Sequence, residues 1–314
     1  MIEDEPLSRF SNEHFKVNLE KIFKLLSDKI VPDSSPKAFI LGGQSGAGKT
    51  TLHNIIMNDT TDNIIIINGD SFRTYHPNFQ KLQDKYGKDW VDYTNDFSGK
   101  MTEALIEKLS SLHYNLIIEG TLRTTQAPIA SCNLLKQKGY HVELSVLAVK
   151  PEISYSSTIL RYEKMTANNV VARATQQDKH DAIVNNLVQN LDELCKLKVF
   201  DNITIYNREK QCLYNQQESL ERSPAPILDN ILHGEWTSEE KQHLCGILSD
   251  TQKLMEARNA PELSQFVRYK KDLMDRITPA QETSLKKRLE EAVKTAKTQK
   301  NIHKEKSKDI GRER

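Results

Sequence analysis

One eight-residue run limits what this chain can fold into more than any other: Gly43-Gln44-Ser45-Gly46-Ala47-Gly48-Lys49-Thr50. It follows a short apolar stretch, Ala38 to Leu41, and leads into a segment with helical character, Thr50 to Met57. Its small residues let backbone N–H groups curl around a phosphate chain without side-chain clashes, and the helix N-terminus adds partial positive charge. The run fits G-x-x-x-x-G-K-[ST] in the strand-then-helix setting which that pattern requires. Residues Gly43, Gln44, Ser45, Gly46, Ala47, Gly48, Lys49, Thr50 and Thr51 are therefore expected to bind ATP. Lys49 reaches the β- and γ-phosphates and the Thr50 hydroxyl serves Mg²⁺.

Further apolar runs at Asn63 to Ile67, Asn115 to Ile118, Val142 to Val149 and Ile203 to Tyr206 alternate with longer segments of helical periodicity. Phe15, Leu19, Ile22, Phe23 and Leu26 mark a helix over about Asn12 to Asp28, and Ile183, Leu187, Leu191 and Leu194 mark another. This alternation predicts an α/β fold, a P-loop NTPase-like parallel sheet wrapped by helices. Thr237 with Glu240 reads as a capping box opening a helix to about Met255. Beyond Pro261 apolar residues thin out, Thr278-Pro279 with Gln281 suggests one more helix, and Lys297 to Arg314 is mostly charged. The expected division is a kinase domain over 1–255 and a charged helical or disordered extension over 256–314.

Composition excludes several classes. The 314 residues are 37% hydrophobic and 28% charged. The run Ile64 to Ile67 is far too short to span a bilayer and the N-terminus is acidic, so a cytoplasmic protein without membrane contact is expected. Cys132, Cys195, Cys212 and Cys245 lack metal-ligand spacing and read as reduced packing residues. The net charge is +1, yet Ser284 to Arg314 carries eleven Lys/Arg against five Asp/Glu, which leaves the body acidic. No direct nucleic-acid binding is expected of that body.

In open parallel sheets ligands collect beyond the carboxyl ends of the strands, and two acidic residues fall there. The run Ile64 to Ile67 exits through Asn68-Gly69 to Asp70, whose carboxylate is placed either to accept a substrate hydroxyl's proton or to cap a turn before Ser71. The run Asn115 to Ile118 exits into Glu119-Gly120-Thr121-Leu122-Arg123, where Glu119 either contacts substrate or holds Mg²⁺ through water. Phosphoryl transfer needs further cations, and Arg161 and Arg173, twelve residues apart, read as the arginines of a small lid. These residues leave open a kinase of another small molecule or a nucleotide-dependent binding protein.

With these residues assembled, the sequence resembles the zeta toxins, the kinase half of epsilon/zeta toxin–antitoxin systems, particularly the pneumococcal type. The resemblance rests on Gly43 to Thr51, Ile67 to Arg73, Tyr86 to Asp89, Asp92-Tyr93-Thr94 with Asp96-Phe97, Ile118 to Arg123, Arg161-Tyr162-Glu163 and Ala172 to Thr175, within residues 1–250. It implies phosphorylation of the 3′-hydroxyl of the sugar in UDP-N-acetylglucosamine, action against cell-wall synthesis, and a cognate antitoxin that blocks the nucleotide site. It further implies Asp70 as base, Lys49, Arg161 and Arg173 as charge stabilisers, and substrate contacts from Asp70, Arg73, Glu103, Glu119, Thr121 and Arg123. The tail beyond about residue 255 has no counterpart in the resemblance.

Overall fold

The computed structural model describes residues 5–219 and 223–278. A helix, α1 (Asn12–Ser27), capped by the Ser11 hydroxyl, precedes β1 (Lys37–Gly42). The phosphate-binding run then enters α2 (Thr50–Asp59), followed by β2 (Ile65–Ile67), a single turn α3 (Gly69–Phe72) and α4 (Phe79–Tyr86). A 3₁₀ segment over Gly87–Thr94 leads into α5 (Asn95–Ser111), β3 (Leu116–Glu119), α6 (Gln126–Gln137) and β4 (His141–Leu147). The chain continues through α7 (Pro151–Ala167), α8 (Gln177–Leu197), β5 (Asn202–Tyr206), β6 (Cys212–Asn215), α9 (Ala225–His233), α10 (Ser238–Ala257) and α11 (Leu263–Ile277).

The sheet runs β2-β3-β1-β4-β5-β6, with β1 central. Ile40 of β1 sits opposite Ile118 of β3 and Leu144 of β4, and the first five strands are all parallel. Strand bodies such as Ile65, Leu116, Ile117 and Val142 are at most 2% exposed, which is why these runs are continuously apolar instead of alternating. Strand order reverses beside β1, so the crevice at the carboxyl ends of β1 and β3 is where ligands of such sheets bind.

Two expectations change, those of a wholly parallel sheet and of packing cysteines. The sheet is not wholly parallel, because β6 folds back antiparallel to β5 after a turn at Asn207–Gln211, with a bulge at Ile205/Tyr206. Within the extension expected to be helical or disordered, α11 is a helix; its Phe266, Leu273 and Ile277 are buried, at spacings that repeat on one helical face. Of the cysteines, Cys132 is buried while Cys212 and Cys245 are exposed, so packing explains only part of the set. The capping box is present: Glu240 N–H donates to Thr237 Oγ1 at 3.1 Å, and Thr237 N–H donates to the Glu240 carboxylate at 2.9 Å. The expected helix after Thr278 and the charged run from Lys297 lie outside the described residues. The chain divides into two compact units, Met1–Leu254 and Met255–Arg314. No described helix is long and apolar enough to cross a membrane.

Candidate active site

The phosphate-binding loop owes its shape to positive-φ glycines. Gly43 (φ +126°) and Gly46 (φ +80°) adopt backbone that L side chains rarely tolerate, and a Cβ at Gly46 would lie 2.0 Å from the Ser154 carbonyl oxygen. The loop is thus pressed against the first turn of α7. Gln44 is fully buried and its side-chain amide donates to Val149 O at 2.6 Å, so this side chain anchors the loop to the end of β4. Ala47 is also buried.

Above the loop lies a cleft of about 550 Å³. Its lining brings together Ser45, Gly46, Gly48, Lys49 and Thr50 with Asp70, Arg73, Glu119, Thr121, Arg161 and Arg173. These residues, from five separate segments, thereby converge on one crevice at the carboxyl ends of the strands. Glu103 and Arg123 do not line it. They line a neighbouring cavity of about 510 Å³ that shares Glu119, Gly120 and Thr121 with the cleft and is largely apolar elsewhere, through Ile106, Ile118 and Leu134 among others. Between Thr121 and Arg123, Leu122 takes a left-handed backbone (φ +54°) and is buried against Gly42, so the polar neighbours are set by a strained turn. Asn190 of α8 donates to the Leu122 carbonyl at 2.8 Å and holds that turn.

Lys49 Nζ donates to the carbonyls of Gly43 (2.8 Å) and Gln44 (3.2 Å), folded back on its own loop. Burial pushes its ammonium down to about 8, with Glu119 opposing that shift and Arg161 adding to it. Around Asp70 the opposite balance holds. Burial alone would raise its carboxyl, but Arg173, Arg73 and Arg161 outweigh it and hold the group below the ordinary carboxylate range. Arg73 Nε donates to Asp70 Oδ1 at 2.9 Å, and its Nη1 is taken by Val91 O, Thr94 Oγ1 and Asn95 Oδ1. A guanidinium so engaged supports the carboxylate. The lid segment that carries Arg173 is tethered through Trp90 Nε1 to Ala172 O (3.3 Å) and Gln176 to Asp89 (2.7 Å), which accounts for the Tyr86 to Thr94 stretch as a brace.

The arginines also test whether an anion fits. Nε of Arg161 and of Arg173 is buried without a hydrogen-bond partner among the described residues. An unmet buried donor costs about 1–3 kcal/mol, so both nitrogens are set up for an acceptor that the protein does not supply. Burial, and then Arg173, lower the Arg161 guanidinium's affinity for its proton, as expected of cations crowded around an anion site. Mg²⁺ is bound by one or two carboxylates together with phosphate oxygens, and Thr50, Asp70 and Glu119 in one cleft form a compatible donor set.

Two contributors escaped the sequence reading. His53 of α2 lies with Nε2 3.1 Å from Glu119 Oε1. It falls one helical turn after Lys49 (i, i+4), a spacing that puts it on the cleft side of α2. Arg208, just after β5, donates through Nε to Ala47 O (2.8 Å) and through Nη2 to Gly46 O (2.7 Å) and Ser157 Oγ (3.1 Å). No local motif marks Arg208; only its position past the end of a core strand could have flagged it.

Comparison with known proteins gives consistent matches. The family model described as Zeta toxin matches residues 23–219. Toxin PezT of Streptococcus pneumoniae serotype 4 is 48% identical over 236 residues, covering 75% of this chain and 93% of that protein. Toxin zeta of Streptococcus pyogenes is 40% identical over 255 residues, covering 81% of this chain and 88% of that protein. A solved structure from the PezAT chromosomal toxin–antitoxin system of Streptococcus pneumoniae superposes with a TM-score of 0.72 at 44% identity, covering 80% of this chain and 100% of that one.

Proposed function

The chain belongs to the zeta toxin family, and on that premise we propose that it is an ATP- and Mg²⁺-dependent kinase that phosphorylates the 3′-hydroxyl of the sugar in UDP-N-acetylglucosamine. In this reading it acts as a toxin against cell-wall synthesis and is neutralised by a cognate antitoxin that covers the nucleotide site. The single observation that carries the chemistry is the position of Asp70, a carboxylate kept ionised by arginines and lining the same cleft as the phosphate loop.

Asp70 accepts the proton as the sugar oxygen attacks. Lys49, Arg161 and Arg173 neutralise the charge that spreads over the migrating phosphoryl group, and the unpartnered Nε atoms of the two arginines supply donors for it. Thr50, with Asp70 or Glu119, would hold Mg²⁺, which supplies charge neutralisation on the phosphates when bound. The cavity beside Glu119 and Thr121 receives the sugar nucleotide: Glu103, Thr121 and Arg123 offer polar contacts at the rim of an apolar floor suited to a base and ribose. Arg73 is assigned to positioning Asp70, in place of the direct substrate contact expected from sequence.

The test is an acceptor panel. ATP consumption should be stimulated by UDP-N-acetylglucosamine far above UDP-glucose, free nucleosides or simple metabolites. Stimulation by a different small molecule alone would reassign the substrate within the kinases, and turnover indifferent to every acceptor would favour a nucleotide-dependent binding protein.

A further inference from the structure

Glu119 sits where two cavities meet, lining both the 550 Å³ cleft over the phosphate loop and the 510 Å³ cavity beside it. It is the last residue of β3 and lies in register with Leu41 of β1, just before that strand turns into the phosphate loop. A carboxylate in this place can turn toward the phosphates or toward the acceptor, and the Lys49 ammonium, on which its charge acts, draws it to the first side. Behind it stands His53 of α2, its side chain only 9% exposed, with Nε2 3.1 Å from Glu119 Oε1. His53 lines neither cavity.

We propose that His53 is a positioning residue for the acceptor: its Nε2–H donates to Glu119 Oε1 in the acceptor-bound protein, which keeps Oε2 turned to the sugar nucleotide and away from the phosphates. The inference rests on the acceptor reading above and adds the group that aims one of its contacts. His53 itself touches no substrate and acts only through Glu119.

Three observations carry this. First, His53 Nε2 is buried and makes no hydrogen bond to any described residue, although Oε1 is within reach, so the pair has the separation of a hydrogen bond without its alignment. An unmet buried polar nitrogen is costly, and a rotation of the Glu119 carboxylate at this distance supplies its partner. Second, the imidazole is fixed in a packed stretch of α2 beside buried Leu52 and Ile56, whereas Glu119 opens on two cavities, so the carboxylate is the member that turns. A contact group held by a packed neighbour keeps its aim before a ligand arrives. Third, a carboxylate accepts through two oxygens, and holding Oε1 on a fixed donor leaves Oε2 free for an acceptor hydroxyl. Nε2–H is present in one neutral tautomer and in the charged ring alike, so no titration is involved.

The experiment is steady-state kinetics of the full chain with ATP, Mg²⁺ and UDP-N-acetylglucosamine, for His53→Leu, which fills the space without a donor, and His53→Gln, which keeps an N–H at comparable reach. His53→Leu should raise the KM for the sugar nucleotide by about tenfold and leave kcat and the calorimetric ATP affinity within about threefold. His53→Gln should bring KM back to within about threefold of wild type. In a Glu119→Ala background, His53→Leu should change KM by less than about twofold, because the carboxylate it positions is gone. If melting curves show His53→Leu unfolded, His53→Met, equally without an N–H, carries the comparison. A merely structural histidine would lose folded protein, which lowers kcat and leaves KM in place, and that pattern overturns the inference. So does a KM effect that persists in Glu119→Ala, or His53→Gln as impaired as His53→Leu. Lost ATP affinity in His53→Leu also overturns it, by assigning the histidine to the phosphate side. Wild-type protein for which UDP-N-acetylglucosamine is no acceptor overturns the acceptor reading itself and this inference with it.

Discussion

Arg173 Nη1 lies 3.3 Å from Asp70 Oδ2, so the lid arginine is paired in this structure with the carboxylate proposed as the base. That cation helps to keep Asp70 ionised, and in the proposed reading it would also meet the incoming phosphate.

Asp70→Asn should therefore leave ATP affinity within a few fold and lower single-turnover phosphorylation by roughly 10²- to 10⁴-fold, the usual worth of a general base. Calorimetry and single-turnover kinetics on the same preparation check this pair of outcomes. Loss of ATP binding would move Asp70 to the metal. Because the folded carboxyl sits below its unfolded value, Asp70 contributes stability that is present above the ordinary carboxylate range and lost as pH falls through its lowered folded value. The acid limb of the stability profile should accordingly shift upward in Arg173→Ala, since Asp70 then protonates at higher pH.

Lys49 offers a proton-linked signature. Its ammonium, lowered to about 8 by burial, is partly neutral at that pH in the free protein and becomes fully charged against the phosphates. ATP binding near pH 8 should take up protons, measured as a difference in apparent binding enthalpy between buffers of unlike ionisation enthalpy. Lys49→Ala should abolish the uptake and lower turnover by several orders of magnitude. Arg161 contributes to the lowering, so Arg161→Gln should reduce the uptake by raising Lys49's affinity for its proton.

Two glycine substitutions should act in opposite directions. Gly46→Ala places a Cβ 2.0 Å from the Ser154 carbonyl at φ +80°, so the loop must distort. The cost should be at least about 1–3 kcal/mol, with ATP affinity lost in step. Gly246→Ala, inside α10 with nothing within 4 Å of the new methyl, should stabilise by about 0.5–1 kcal/mol. Melting curves on the two variants decide both.

We propose that the segment after α10 is dispensable for catalysis. The unit Met1–Leu254 contains the cleft and the neighbouring cavity in full. A chain ending at Ala257, which keeps α10 whole, should fold and phosphorylate its acceptor near the full-length rate. A folded but inactive truncation would assign the extension a catalytic role.

The central parts of the site were legible because each carries a local signature. The glycine pattern at Gly43 to Thr50 announces its own backbone, and Asp70 and Glu119 stand where apolar strands end at a glycine. Arg208 and His53 were not legible, because each acts through a contact made far along the chain: Arg208 with the loop carbonyls at Gly46 and Ala47, His53 with Glu119. The same holds for Gln44, whose side chain serves Val149 and not a ligand. In the fold, β6 is a short edge strand with two exposed residues, Cys212 and Leu213, and gives neither the alternation nor the apolar run by which strands are recognised. The apolar face of α11 is carried by few residues in a strongly charged segment, so composition masked its periodicity.

The most direct test of the central claim is to incubate the protein with ATP, Mg²⁺ and UDP-N-acetylglucosamine and to identify the product by mass spectrometry with phosphorus NMR. The account predicts one added phosphoryl group on the 3′-oxygen of the N-acetylglucosamine ring, formed by wild-type protein and lost in Asp70→Asn. ATP consumed with the sugar nucleotide left unmodified, or a phosphoryl group placed elsewhere on it, would contradict the account.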